Sequence, residues 1–142
     1  MIATVAVVLS WAGVAYDVSR PTDYRRYVRT MVQVAESGHD AAQTGRLIAQ
    51  QQVDGRITAA FGTAAYDDAA KGLAGAQKKF AGEGLPDERS QRLRDELSPL
   101  LTGTVVALGD TVEASDDRAR EAGSAKLGEF ASSLEDFIEA YG

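Results

Sequence analysis

Four amphipathic segments follow one another along the chain, separated by short polar breaks. In each segment apolar residues recur at spacings of three and four, which is the pattern of one face of an α-helix. The spacing predicts helices over about 22–52, 55–81, 86–114 and 116–141. Because the connections are short, neighbouring helices are expected to alternate in direction. The sequence therefore predicts an all-α protein whose domain, residues 19–142, is an antiparallel up-down four-helix bundle.

Large apolar residues form the predicted core stripe of the last two segments. Pro99 interrupts the third segment, but the stripe keeps its phase across the proline, so a kink is expected there rather than a helix end. The second segment has a mixed stripe of aromatic and small residues. The three stripes are Ile57, Phe61, Ala65, Ala69, Gly72, Leu73, Ala76 and Phe80; then Leu93, Leu97, Leu100, Leu101, Val105, Leu108 and Val112; then Leu127, Phe130, Leu134, Phe137, Ile138 and Tyr141.

Small residues fill the middle of the first two segments, and we call these positions the small-residue seam. They predict either a close approach of the first two helices or a cavity between them. A homodimer formed through this seam is a further hypothesis. The seam consists of Gly38, Ala41, Ala42 and Gly45 against Ala64, Ala65, Ala69 and Gly72.

The chain opens with an uncharged apolar run over residues 2–16. A membrane-spanning helix needs about 20 apolar residues, so the run is short by about one turn. It is interpreted as a membrane anchor over residues 1–18, or as a signal peptide cleaved near Ala15, where Gly13-Val14-Ala15 gives a small-x-small pattern. A buried first helix of a soluble domain is the third interpretation.

The charges that flank this run bear on its orientation. No Lys or Arg precedes it, whereas Arg20, Arg25, Arg26 and Arg29 follow it. Counted literally, the positive-inside rule would place the domain in the cytoplasm. A basic start upstream of Met1 would reverse that balance. The predicted location is the cell membrane with an extracytoplasmic domain, or secretion if the run is cleaved.

The net charge of −6 comes entirely from the second half of the chain. Residues 1–71 carry seven basic and seven acidic groups, and residues 72–142 carry eight basic and 14 acidic groups. Such a charge repels nucleic acid, and no basic patch with interleaved aromatics is present. Alternating helices place the connections near Asp54 and Ser115 at the end far from the apolar run. The acidic cluster at that end is the predicted partner-binding surface: Asp110, Glu113, Asp116, Asp117 and Glu121.

Little in the sequence supports catalysis. There is no Cys and one His, which excludes disulfides, thiol nucleophiles and haem attachment through C-x-x-C-H. We therefore expect a non-enzymatic protein without a cofactor. The alternative is a metal- or small-ligand-binding bundle, because Glu36 and His39 have the Glu-x-x-His spacing of bundle metal sites and could be joined by Asp67 or Asp68.

Three stretches of the sequence resemble uncharacterised small membrane-anchored helical proteins of high-GC Gram-positive bacteria. They are Val34–Ala41 with Thr44-Gly45-Arg46, Ala74-Gly75-Ala76-Gln77 before a Leu-Pro break, and Leu97–Leu101. The chain is more distantly similar to the four-helix sensor domains of chemoreceptors, but it lacks their second membrane segment and their signalling region. The resemblance implies a four-helix extracytoplasmic domain with no known activity, acting through a protein partner that the sequence does not identify.

Overall fold

The computed structural model contains four α-helices and, over the residues it describes, no strand. Helix α1 spans Ile2–Val53, α2 spans Ala59–Gly82, α3 spans Glu88–Val112 and α4 spans Asp117–Tyr141. The backbone is described from Ile2 and the side chains from Asp23 to Gly142. The ends of α2, α3 and α4 lie within four residues of the predicted ends. The predicted all-α, four-helix architecture is therefore confirmed.

The predicted anchor over residues 1–18 precedes Asp23 and lies outside the residues whose side chains are described, so it stays a prediction. The same holds for the cleavage site near Ala15. Between Asp23 and Gly142, no helix has both the length and the apolar character that crossing a membrane requires.

Contacts between α1 and α2 show that the two helices run in opposite directions. The Tyr66 hydroxyl donates a hydrogen bond to Gln52 Oε1 at 3.1 Å, near the end of α1. The Lys79 ammonium donates to Gln33 Oε1 at 2.7 Å, closer to the start of α1. As the chain advances along α2 it therefore moves back along α1, as the short connection requires.

The pair α3 and α4 is antiparallel in the same way. The Tyr141 hydroxyl, at the end of α4, donates to the carboxylate of Glu96 in the third turn of α3, at 2.8 Å to Oε2. At the opposite end the Thr111 side chain packs directly on Gly123. Gly45, in the last third of α1, faces Leu108, near the end of α3, so α1 and α3 end on the same side of the bundle. The connections 54–58 and 113–116 therefore share one end, which we call the tip, and the connection 83–87 lies at the other end, the base.

Helix α1 packs on α3 and α4 through a glycine that faces two leucines. A Cβ atom placed on Gly38 would lie 3.1 Å from Leu101 Cδ2 and 3.4 Å from Leu134 Cδ1. The leucines themselves are buried. Because Gly38 has no side chain, one leucine from α3 and one from α4 can pack against α1 at this position.

The same arrangement repeats two turns further along. A Cβ on Gly45 would lie 2.7 Å from Leu108 Cδ1 and 3.0 Å from Leu127 Cδ1. Each of the three helices has moved by seven residues between the two layers, forward in α1 and α3 and backward in α4. Helices α1 and α3 are therefore parallel, and α4 is antiparallel to both.

These layers correct the predicted small-residue seam for its two α1 glycines, whereas Ala41, Ala69 and Gly72 of the seam do line one groove between α1 and α2. Gly38 and Gly45 face leucines of α3 and α4, not residues of α2. On the α2 side, Ala64 is exposed and a side chain at Gly72 would meet open space, while Ala69 is buried. The glycines accept large side chains from two other helices, so they do not bring α1 and α2 together.

The buried row of α2 also differs from the predicted stripe in the first half of the helix. It runs through Gly62, Tyr66, Ala69, Leu73 and Ala76, whereas Phe61 is 61 % exposed. A Cβ on Gly62 would collide with the side chain of Gln52. The Gln52 side chain also accepts a hydrogen bond from the Tyr66 hydroxyl. Because the Gln52 side chain leaves no room for a Cβ atom at position 62, the row of α2 that faces α1 is the one that begins with Gly62.

Side-chain caps begin the last three helices. Thr58, Asp87 and Asp116 are the N-caps of α2, α3 and α4, and each accepts a hydrogen bond from the N–H three residues on, at 2.8–3.2 Å. The sequence Ser115-Asp116-Asp117 predicts a cap for the last helix, and Asp116 provides it. The Asp54-Gly55 turn predicts Asp54 as the cap of the second helix, but α2 begins at Ala59 and is capped by Thr58. Helix α3 continues through Pro99, as its uninterrupted stripe predicts.

The cap Asp87 is also held by polar neighbours. Its carboxylate accepts bonds from the Ser90 N–H and hydroxyl, both at 3.0 Å, and from Arg89 Nη2 at 2.8 Å. Desolvation, the largest single influence, would raise the pKa of Asp87. The opposing effects are the hydrogen bonds from Arg89 and Ser90 and the positive charge of Arg89. Together they are larger than the effect of desolvation, so the pKa of Asp87 lies below its ordinary value of 3.8.

The glycine layers predict that Gly45→Ala destabilises the bundle. Its new methyl group would press on two leucines that are fully enclosed in the core, and overpacking of this kind costs about 1–3 kcal/mol. Gly109→Ala is the matched control, because this helical glycine faces open space and Ala favours a helix by about 1 kcal/mol. Urea denaturation checks both variants, and equal stabilisation by the two would contradict the layer arrangement.

The cap of α3 predicts a pH dependence. Because the folded-state pKa of Asp87 is lowered, its ionisation stabilises the fold above about pH 4, and this contribution is lost as the pH falls through the folded-state pKa. Asp87→Asn keeps a capping oxygen but cannot titrate. Urea midpoints at pH 6 and pH 3 should therefore fall less in the variant than in the parent chain. An identical fall would show that Asp87 does not contribute.

Candidate functional site

The four predicted metal-binding residues come from two helices, Glu36 and His39 from α1 and Asp67 and Asp68 from α2. Glu36 lines a groove between α1 and the last turn of α4, beside Tyr141. Asp68 lines a groove between α1 and α2, beside Asp40. Glu36 and Asp68 therefore line two different grooves.

The remaining two members of the set have neighbours of their own. The His39 side chain is about one quarter exposed, and its Nδ1 lies 3.8 Å from Asp40 Oδ1. Asp67 Oδ2 forms an exposed ion pair with Lys71 Nζ at 2.7 Å. Over residues 23–142, no three His, Cys, Asp or Glu side chains come together as metal ligands would. The four residue types are ones that bind metals, but the fold does not gather these residues into one ligand set.

The five acidic residues of the predicted partner surface lie around the α3–α4 connection. Asp110 and Glu113 are at the end of α3, and the other three are in the cap and first two turns of α4. Asp116 is the N-cap, and Asp117 Oδ1 accepts a bond from Arg120 at 3.0 Å. The tip thus carries these charges, although two of them also stabilise the start of α4.

An apolar side chain that the sequence reading assigned to the core also lies at the tip. Phe61 is in the first turn of α2, next to the α1–α2 connection, and Leu47, on α1, is 56 % exposed. Val112, also assigned to the core, is 47 % exposed at the end of α3. Exposed aromatic residues are frequent anchors of protein interfaces. In the sequence, the mixture of aromatic and small residues along α2 was the signal that either of two neighbouring rows could be the buried face of this helix.

A polar cleft of about 680 Å³ lies at the tip between α1 and α4. Arg46 crosses α4 at Gly128, where its Cδ and Nε would lie 3.6 Å from a Cβ atom. Arg120 and Glu121 line the other wall, and Asp54 lies on the α1 side. Two arginines and two carboxylates give the cleft no net charge, so its electrostatics select neither an anion nor a cation.

Three tyrosines have raised pKa values, each for a structural reason. Burial is the main cause for Tyr27 and Tyr66. For Tyr141 the main cause is the hydrogen bond that its hydroxyl donates to Glu96. All three therefore remain protonated at neutral pH, and the hydroxyls of Tyr66 and Tyr141 act as structural donors between helices.

No protein-family model, curated protein or solved structure matches this chain. The resemblance to small membrane-anchored bundles therefore stays a prediction, and the functional argument rests on the geometry of the residues themselves.

The division of the four ligand candidates predicts that the purified protein holds no stoichiometric metal. Elemental analysis of protein prepared without chelators should find zinc, iron and manganese well below one equivalent. His39→Ala should leave that content unchanged. One bound equivalent that His39→Ala removes would contradict the geometry and restore the metal-binding alternative.

Proposed function

We propose that this chain is a non-enzymatic, membrane-tethered helical bundle that acts through a protein partner, as an accessory subunit. The observation that carries the proposal is the coincidence at the tip of Phe61, which is 61 % exposed, with the acidic cluster. An exposed apolar residue at the same end of a domain as polar and charged residues is compatible with the centre and rim of a protein interface.

The tether is inferred from the apolar run over residues 2–16. From Asp23 to Val53, α1 extends about 45 Å at about 1.5 Å per residue. A membrane at the apolar run would therefore face the base of the bundle, and the tip would be presented to partners away from the lipid. The domain is placed on the extracytoplasmic side in this proposal.

The chemistry of the tip indicates the kind of partner. The five acidic residues lie at the same end as Phe61, and the side chains of Asp110 and Glu113 are exposed. A partner with a basic rim around an apolar pocket would complement this surface in charge and in shape. Because charge complementarity acts mainly on the association rate, binding is expected to weaken as the salt concentration rises.

A crosslinking experiment at two positions tests the proposal. A photoreactive amino acid is placed at Phe61 or at Leu85, which is 38 % exposed in the α2–α3 connection at the base. After irradiation of producing cells, the full chain should occur in the membrane fraction. We expect one discrete protein adduct from position 61 and none from position 85.

Variants that keep the caps separate binding from folding. Asp110→Asn with Glu113→Gln removes two charges without touching the Asp116 cap, and should reduce the adduct formed at position 61. Adducts of equal yield at both positions would refute the tip as the partner surface. Recovery of the full chain outside the membrane fraction would refute the tether.

A further inference from the structure

A second groove, at the base, has an apolar floor and a basic rim. It lies where α4 ends against α1 and encloses about 1020 Å³. Its floor includes Tyr24, Val28, Val32 and Tyr141, all partly buried. The Tyr141 hydroxyl is bonded to Glu96, so the tyrosine presents mainly its ring to the groove. The floor is therefore a surface for apolar chains.

Two arginines line the same groove on the side toward the apolar run. Arg25 and Arg29 are four residues apart, so they lie on one face of α1, and both are exposed. No described carboxylate lies within ion-pair distance of either guanidinium. Glu36, the acidic side chain that lines the groove, lies about two turns further from the run.

We propose that the base groove binds an anionic phospholipid of the membrane, with Arg25 and Arg29 on the phosphate and an acyl chain on the floor of Tyr24, Val28, Val32 and Tyr141. The proposal rests on the membrane tether proposed above. An anionic headgroup matches the two exposed guanidinium groups, and guanidinium binds phosphate through paired hydrogen bonds. The membrane itself supplies the lipid, because the groove lies at the base, the end of the bundle that the tether brings to the bilayer.

The absence of cysteine in the chain allows a clean fluorescence test. Ala140→Cys places an environment-sensitive dye at the edge of the groove, and Ala125→Cys places the same dye on the same helix near the tip. The full chain is reconstituted into vesicles of phosphatidylcholine, and phosphatidylglycerol is then added in steps. We expect a blue shift of emission from position 140 that saturates with phosphatidylglycerol, and no shift from position 125.

Charge variants test whether the two arginines of the groove cause the emission shift with phosphatidylglycerol. A basic residue near an anionic surface contributes about a five-fold factor in affinity, so Arg25→Gln with Arg29→Gln should raise the half-saturating phosphatidylglycerol fraction several-fold. Arg56→Gln with Arg118→Gln removes the same charge at the tip and should leave the fraction unchanged. No shift at position 140, or equal effects of the two double variants, would overturn the proposal.

Vesicle flotation distinguishes a failed tether from a failed groove. A chain that does not float with phosphatidylcholine vesicles would refute the tether alone. The dye at position 140 would then be titrated with monomeric short-chain phosphatidylglycerol. A saturable shift that Arg25→Gln with Arg29→Gln weakens supports the groove without the tether, and no shift refutes the groove.

Discussion

Helix α1 has glycine at the two places where a leucine from α3 and a leucine from α4 meet it, and the arrangement of the bundle depends on this. Side chains interdigitate in helix packing, so each large residue needs a matching space on its neighbour. Gly38 and Gly45 supply those spaces two turns apart. Because α1 can lie close to both helices, it becomes the central element, and it contacts each of the other three.

The central position of α1 determines where surfaces remain open. Over the described residues, no Cα atom of α2 lies within 8 Å of α4, so α2 and α4 flank α1 on opposite sides. Each side leaves a groove along α1. The groove beside α4 contains both the polar cleft at the tip and the apolar site at the base, whereas the groove beside α2 contains Asp68 and Asp40.

The two ends of the bundle differ in chemistry, and this difference organises the functional proposals. The tip combines an exposed phenylalanine with carboxylates, which suits a protein partner of opposite charge. The base combines a partly buried apolar floor with two exposed arginines, which suits the proposed anionic lipid. Both proposals take their direction from the apolar run at the start of the chain, since α1 links that run to the tip.

The sequence by itself determined the number of bundle helices, the approximate ends of the last three, a cap within residues 115–117 and the grouping of acidic residues at one end, because periodicity, capping and short connections are local properties. The stripes of α3 and α4 also identified the faces that these helices bury. Only the tertiary structure decided which face α2 buries in its first half. The alternation of small and aromatic residues in α2 fits two neighbouring rows, and the shape of α1 at Gln52 chose the row of Gly62 and Tyr66, leaving Phe61 exposed. Likewise, the spacing of Glu36 and His39 is local, but the groove that Glu36 enters depends on α4, which lies far along the chain.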